Sequence, residues 1–430
     1  MVVANAKCSR QYDANARRSK VLTISSEDSP KGQNLSKVEF IALMAMMFAT
    51  IAFSIDAMLP ALPEIAADIA PGGTSQAALI LTFFVIGMGV GTFFMGPLSD
   101  AYGRKPVLYI GLAIYAVGAV LSWISPSLEM MLAARVLQGL GASGPRVVGA
   151  AIIRDLYSGR SMASILSLTM MVFLLVPGIA PLIGDLITAA FGWRMIFGAF
   201  LLFGLILWIW FGTRMRESLP VEERRPLKWA LMIDALRQMV IHPTVRLSIV
   251  VQTLMMTILF SILTMVQPIF EVAFDRADSF PYWFGAIAAI SGLSSLLNAA
   301  IVGRFGMRRL ITWALTAQVM ISGAFVLFLM FDMPGVFAFY VFWQFGVMFQ
   351  SGLTIANLNA IAMEPMGHIA GMAASVIGSM STVLGAVMAS VISMGFAATP
   401  LALAGTVLVM CLVATVLMQM MRRVEETTEA

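Results

Sequence analysis

The chain has 430 residues, of which 60% are hydrophobic and 12% charged, and a net charge of +4. A typical soluble domain is about 25% charged, so this composition excludes a soluble globular protein. The net charge is not a nucleic-acid footprint, because in so apolar a chain the positions of the cations matter more than their sum. The two cysteines and two histidines give no disulfide framework and no metal spacing. We expect no metal, no cofactor and no nucleic-acid partner.

The first 37 residues are polar and lack the apolar core of a secretory signal peptide. Their Arg and Ser content with few acids would also suit an organellar transit peptide. We expect residues 1–37 to form a disordered cytosolic tail.

Twelve apolar segments follow, each about 20 residues long, which is the length needed to cross about 30 Å of hydrocarbon. The predicted spans are 39–61, 76–98, 106–125, 129–151, 164–188, 194–213, 246–270, 282–302, 309–331, 335–360, 370–397 and 400–421.

One long connection, 214–245, divides the spans six plus six. It carries charges of both signs and the amphipathic stretch W-A-L-M-I-D-A-L-R-Q-M-V, which is suited to a membrane surface. We expect two halves, 38–213 and 246–421, joined by a cytosolic linker and followed by a short cytosolic tail, 422–430.

Lys and Arg are distributed asymmetrically between the two sides of the predicted membrane. Nearly all of them fall in the tail, the linker and alternate connections, whereas the opposite side holds Arg194 and Arg276. Because cytoplasmic loops are enriched in cations, both termini are predicted to be cytoplasmic.

The stretch G-P-L-S-D-A-Y-G-R-K places a carboxylate and two cations in a short predicted loop between the second and third spans. Charge this close to hydrocarbon has to be paired or functional. The stretch resembles the signature that the major facilitator superfamily of transporters carries at this place. The matching residues are Gly96, Asp100, Gly103, Arg104 and Lys105. The resemblance implies that Asp100 is a conformational latch to the eleventh span; fixing of topology by the two cations is the simpler alternative.

The halves also look like distant copies of each other. R-F-G-M-R-R at 304–309 follows the eighth span as Y-G-R-K follows the second, with Gly306 aligned on Gly103. The superfamily resemblance implies an all-α membrane protein, with twelve transmembrane helices in two six-helix pseudo-repeats around a central cavity.

In the fourth span, R-V-L-Q-G-L-G-A resembles the superfamily pattern of an arginine followed by Gln-Gly. The resemblance implies a role in proton coupling for Arg135 and Gln138.

In the fifth span, P-G-I-A-P-L-I-G-D resembles the antiporter signature of drug–proton exchangers. Its residues are Pro177, Gly178, Pro181, Gly184 and Asp185. The sequence departs from that pattern in having Ala before the second proline and Asp in place of the last glycine. These residues should kink and thin the span so that it packs on the eighth. Asp185 is either a second protonation site or an interfacial charge.

In the first span, Asp56 stands four residues before Pro60 in S-I-D-A-M-L-P-A-L-P, which resembles the first-span motif of twelve-span drug–proton antiporters. R-D-L-Y at 154–157 and E-P-M-G-H at 364–368 also fit the bicyclomycin and chloramphenicol resistance subgroup, to which the resemblance is greatest.

Asp56 and Arg135 are predicted to lie at similar depths. At 1.5 Å per residue, Asp56 is about 25 Å from the cytosolic edge and Arg135 about 9 Å from the far edge. An acid that is neutral when protonated and pairs with Arg when ionised can carry a proton. A static ion pair that holds the first half together is the alternative.

Arg146 lies deep in the fourth span, where it could meet an anionic substrate group in the cavity; packing on a backbone carbonyl or a lipid headgroup is an equal alternative. Nearby, Gly139, Gly141 and Gly144 form a G-x-G-x-x-G. Inside an apolar span this pattern indicates close helix packing and not a dinucleotide site.

The sequence therefore predicts a monomeric antiporter of a bacterial inner membrane. It would export small, largely apolar drugs or toxic compounds in exchange for protons, and it would not be an enzyme. The alternative is an importer or exporter dedicated to a single metabolite.

Overall fold

The structure, a computed structural model, describes residues 35–429 except 158, 225–226, 228 and 332. In this part of the chain most residues are helical, and twelve helical segments are long and apolar enough to cross a membrane. The prediction of an all-α membrane protein with twelve transmembrane helices is confirmed. The predicted tail up to residue 34 lies outside the described residues.

The membrane-crossing helices are labelled α1 to α12, with the eighth in two parts. They are α1 Lys37–Asp56, α2 Leu79–Tyr102, α3 Arg104–Trp123, α4 Leu128–Leu156, α5 Gly159–Phe191, α6 Met195–Arg214, α7 Pro243–Pro268, α8a Phe280–Ser291, α8b Leu293–Phe305, α9 Met307–Met330, α10 Val336–Met363, α11 Ala370–Gly395 and α12 Pro400–Glu429. We call the side on which α1 begins the inner side and the opposite side the outer side.

The predicted loop between the second and third spans is wrong. α2 runs to Tyr102 and α3 begins at Arg104, so Gly103 alone connects them, with a φ of 100°. Asp100 therefore lies in the last turn of α2. Glycine adopts a positive φ without a steric penalty, and a single residue can then redirect the chain. Gly306 does the same between α8b and α9, with a φ of 81°.

The first span is longer than predicted and is interrupted. α1 ends at Asp56, and a 3-10 turn, Leu59–Ala61, leads into a further helix, Leu62–Ile69. Pro60 lies within this turn and has no N–H to donate, so the helical ladder cannot continue through it.

The two halves meet along two seams, α2 with α11 and α5 with α8a. At one seam, a Cβ built on Gly285 would lie 2.6 Å from the carbonyl oxygen of Gly178; at the other, a Cβ on Gly96 would lie 3.0 Å from the hydroxyl of Ser375. Small residues allow such close approach of helices in a membrane. On the outer side, the Leu59–Ala61 turn also contacts α7.

Between α6 and α7 the chain passes through the linker. It contains a 3-10 turn, Val221–Glu223, and a helix, Trp229–Ile241, which contacts α7 and α11.

Candidate functional site

Arg135 is fully buried on α4 and ties together three helices of the first half. Its Nη2 donates to the Ser54 carbonyl of α1 (2.9 Å), its Nε to the Ile80 carbonyl of α2 (3.3 Å), and its Nη1 to Gln138 Oε1 (2.7 Å). The guanidinium also lies 4.3 Å from the centre of the Phe84 ring. The predicted partners Arg135 and Gln138 are thus in direct contact, and all acceptors of the guanidinium are uncharged.

Asp56 is the last residue of α1 and is only 5% exposed. Within the described part of the chain, its carboxyl group forms no hydrogen bond and no ion pair. Arg135 donates to the carbonyl of Ser54, which precedes Asp56 by two residues. Ser54 and Asp56 are therefore about 3 Å apart along the axis of α1. The two groups lie at similar depth, but in this conformation they are not paired.

The side chain of Asp56 leaves α1 on a different side from that of Ser54. Residues two apart in a helix point about 160° away from each other. The Ser54 hydroxyl lies 2.8 Å from the hydroxyl of Tyr115 on α3. Asp56 therefore points away from α3.

The fifth-span motif reaches the end of α1. A Cβ on Gly184 would collide with the backbone of Ala57, directly after Asp56. Asp185 follows at the next position and is half-buried. The packing of Gly178 of α5 on the eighth span agrees with the prediction, whereas the contact with the first span was not predicted.

The signature between α2 and α3 is part of a charge network on the inner side. Arg104 is buried; its Nε donates to Asp155 of α4 (2.8 Å), and its Nη1 donates to Ser99 (2.8 Å) and to Asp100. The expected latch residue Asp100 is thus bonded within its own half. Of the signature residues, Gly96 lies against α11, next to Ser375.

The start of the linker caps α3. Oε1 and Oε2 of Glu217 accept from the backbone N–H groups of Arg104 and Lys105, each at 2.9 Å. Lys105 Nζ donates to the carbonyls of Gly212 and Met215. A carboxylate at a helix N-terminus satisfies free N–H groups and is favoured by the helix dipole.

Arg146 follows Arg135 by three helical turns, so both side chains leave α4 on about the same face. This face contacts α1, since a Cβ on Gly149 would lie 3.5 Å from Met47 and Phe48. Arg146 is nevertheless exposed. Its exposure indicates accessible space beside α1 in the inner half of the bundle, and not contact with lipid.

The profile described as Major Facilitator Superfamily matches residues 42–390. The chain belongs to the Major Facilitator Superfamily. It is therefore a multi-pass membrane transporter and not an enzyme.

Relatives agree with the subgroup suggested by the sequence. The chain is 28% identical over 367 residues to the bicyclomycin resistance protein homolog of Haemophilus influenzae, covering 84% of this chain and 90% of that protein. It is 29% identical over 358 residues to the multidrug resistance protein MdtL of Shewanella oneidensis, covering 78% and 83%. The partially occluded inward-open xylose transporter XylE of Escherichia coli superposes with a TM-score of 0.68 at 12% identity, covering 89% and 97%, which shows the fold alone.

Two residues of the charge network on the inner side were missed from the sequence. Asp155 lies in the R-D-L-Y stretch, where the acid next to Arg154 was a usable signal. Glu217 gave none, because an acid in a mixed-charge linker is ordinary. Only the folded chain brings it to the start of α3.

Proposed function

We propose that this superfamily member is a proton-driven antiporter. It exports small, largely apolar compounds across a bacterial inner membrane by alternating access, with both termini in the cytoplasm. One observation carries the proposal: Asp56 is buried without a partner among the described residues, at the depth where Arg135 is held by uncharged acceptors. The names of the bicyclomycin and multidrug resistance relatives support the substrate class.

The proton step follows from the different surroundings that the protonated and the ionised carboxyl group of Asp56 require. Ionised and unpaired, a buried carboxylate costs several kcal/mol, so this conformation suits the neutral acid. A carboxylate is a stronger acceptor than a carbonyl. Once ionised, Asp56 would compete with the Ser54 carbonyl for Arg135 and so pull α1 and α4 into a second arrangement. Gln138 would hold the guanidinium during this exchange.

The remaining motif residues would transmit the change between the halves. The Asp100–Arg104–Asp155 network makes the inner ends of α2, α3 and α4 move together, and Gly96 lets α2 separate from and return to α11. The second seam, between α5 and α8a, would move through four residues of α5: Pro177, Gly178, Pro181 and Gly184. Each is proposed here as part of the rocking motion and not of substrate binding.

Two further charges complete the proposal. Asp185, beside the contact between Gly184 and Ala57, is a second candidate for protonation. Arg146 is a candidate contact for an anionic substrate group.

The driving force is sufficient for export. A membrane potential supplies about 2.3 kcal/mol per charge per 100 mV, which corresponds to about a 50-fold concentration ratio for each charge moved.

The decisive test uses inside-out membrane vesicles with an imposed pH gradient. Addition of a transported compound should discharge the gradient in vesicles with the unsubstituted protein. Asp56→Asn should abolish this discharge at equal expression. Asp68→Asn is the matched control, because Asp68 is an exposed acid paired with Arg194 and lies beyond the end of α1. Discharge by Asp56→Asn at the normal rate would remove Asp56 as proton carrier.

The breadth of substrates is tested by compound susceptibility in a host that lacks its main efflux systems. Resistance to several unrelated apolar compounds is expected. An effect confined to one metabolite would favour the dedicated transporter instead.

A further inference from the structure

The second half contains buried polar groups that no protein group satisfies. They lie along the contact between α7 and α10, which run antiparallel. Two contacts fix the register: the rings of Phe270 and Tyr340 are 5.9 Å apart, and Gln252 Nε2 donates to Asn359 Oδ1 at 3.0 Å.

In this register, Gln267 of α7 lies opposite Gln344 of α10. Gln267 precedes Phe270 by three residues, and Gln344 follows Tyr340 by four. Each glutamine is therefore about one helical turn inward from the contact between the two rings and on nearly the same helix face as its ring. Gln344 and Gln267 are 0% and 2% exposed. The register therefore places two buried amides at the same depth.

These groups lack partners among the residues that the structure describes. Both amide atoms of Gln344, the Oε1 atom of Gln267 and the hydroxyl of Tyr340 are buried without a hydrogen bond. About 90% or more of buried polar groups in proteins have a partner, because leaving one unsatisfied is costly. Four such atoms in adjacent turns indicate a place where another molecule supplies the partners.

The buried polar groups between α10 and α9 differ from these four atoms. The Trp343 Nε1 atom and the Gln318 Nε2 atom both donate to the Ser322 hydroxyl, at 2.9 and 3.1 Å. The Trp343 and Gln318 side chains, which point towards the Ser322 hydroxyl of α9, therefore have a partner, in contrast to the four atoms at the α7–α10 contact.

Aromatic rings lie around the Tyr340 end of this group. The Phe270 and Phe274 rings lie 5.9 and 5.2 Å from the Tyr340 ring, and the Phe337 ring lies 5.7 Å from Phe270. Flat apolar faces beside an uncharged donor and acceptor suit a neutral aromatic molecule.

We propose that Gln267, Tyr340 and Gln344 form a substrate-recognition subsite for a neutral amide or hydroxyl group attached to an aromatic ring. This inference rests on the proposed export of small, largely apolar compounds. An amide on the ligand offers one donor and one acceptor, which is the complement of the Gln344 side chain. The neutral polar group of the substrate would thus be bound in the second half, while the charges that serve proton coupling lie in the first.

The test measures binding to the purified full-length protein with two probes. Chloramphenicol is a neutral aromatic amide, and tetraphenylphosphonium is an aromatic cation without hydrogen-bonding groups. Gln344→Leu should weaken chloramphenicol binding about tenfold, the loss expected for hydrogen bonds to a buried group, and leave tetraphenylphosphonium binding unchanged. Gln267→Leu should act in the same direction.

Gln318→Leu is the matched control, since it removes a buried amide that already has a partner. It should lower thermal stability without changing the ratio of the two affinities. Gln344→Leu should not lower stability, because it removes an unsatisfied group from an apolar environment.

Three results would overturn the subsite: equal losses for both probes in Gln344→Leu and Gln267→Leu, no loss in either, or no chloramphenicol binding by the unsubstituted protein. The measurement needs no proton gradient. If the vesicle test shows no proton coupling, the ratio of the chloramphenicol and tetraphenylphosphonium affinities still decides for or against the subsite.

Discussion

At the scale of single residues, Arg135 connects three helices of the first half. Its three donor nitrogens reach acceptors on α1, α2 and α4, and Phe84 stacks beside it. The planar guanidinium of arginine can donate in three fixed directions at once, whereas the ammonium of lysine is a point charge on a flexible chain. The charge and the donor geometry of Arg135 therefore contribute separately to transport.

Arg135→Lys tests the geometry while keeping the charge. We expect transport to slow about tenfold or more, since hydrogen bonds from charged groups are each worth about 1.5–3 kcal/mol. Arg194→Lys is the control on the outer surface, where the partner Asp68 is exposed. Initial rates in proteoliposomes provide the measurement. Normal rates in Arg135→Lys would show that positive charge alone suffices.

At the scale of elements, the start of α3 depends on a residue far away in the chain. Glu217 satisfies the N–H groups of Arg104 and Lys105, while Asp155 holds the Arg104 side chain. The first turn of α3 is thus bonded to both α4 and the linker. Movement of the linker would move α3 with it.

Glu217→Gln removes the negative charge from this helix N-terminus and keeps the size of the side chain. A charge at a helix end contributes about 0.3–1 kcal/mol, or up to about 2 when partly buried. We expect a lower thermal midpoint and slower transport with unchanged substrate binding. Glu222→Gln, in the exposed turn Val221–Glu223, is the control and should change neither. Loss of binding in Glu217→Gln as large as the loss of rate would contradict a purely structural contact.

The seam between α5 and α8a gives a second prediction for an element. A methyl group on Gly285 would lie 2.6 Å from the Gly178 carbonyl oxygen, whereas one on Gly378 of α11 would meet nothing within 4 Å. Overpacking of a close contact costs about 1–3 kcal/mol. Gly285→Ala should therefore lower both transport and stability, and Gly378→Ala neither. Equal activity of the two variants would mean that the seam is not closely packed during the cycle.

At the scale of the whole molecule, the exposure of Arg146 shows where the interior is accessible. Contacts of the Leu59–Ala61 turn with α7 join the halves on the outer side, and Arg146 is exposed in the inner half of α4. With the proposed orientation, the space beside Arg146 opens to the cytoplasm.

A cysteine at position 146 tests this arrangement in a background without Cys8 and Cys411. Arg146→Cys should react with a charged, membrane-impermeant thiol reagent in inside-out vesicles and react poorly in right-side-out vesicles. Ala133→Cys is the control, because Ala133 is exposed on roughly the opposite face of α4 and should meet lipid, where a charged reagent does not enter. Equal labelling at both positions would argue against an inner cavity.

The sequence by itself determined the number of spans, the superfamily and the helices that carry each motif. Hydrophobic length and the exclusion of charge from lipid are local properties, so each span can be recognised without the others. Span limits were less accurate. The single-residue connection at Gly103 and the interruption after Asp56 depend on backbone conformation, which apolar length does not record.

Only the tertiary structure decided which groups meet. Arg135 and the Ser54 carbonyl are far apart in the chain, as are Gln267 and Gln344, and Glu217 and the start of α3. In an apolar span nearly every side chain is compatible with lipid or with a neighbouring helix, so the pattern does not fix the rotation of a helix about its axis. Rotation and register are set by close packing between helices. Packing therefore decides that Arg135 meets uncharged oxygens, that Asp56 has no partner in the described part of the chain, and that two buried amides lie opposite each other.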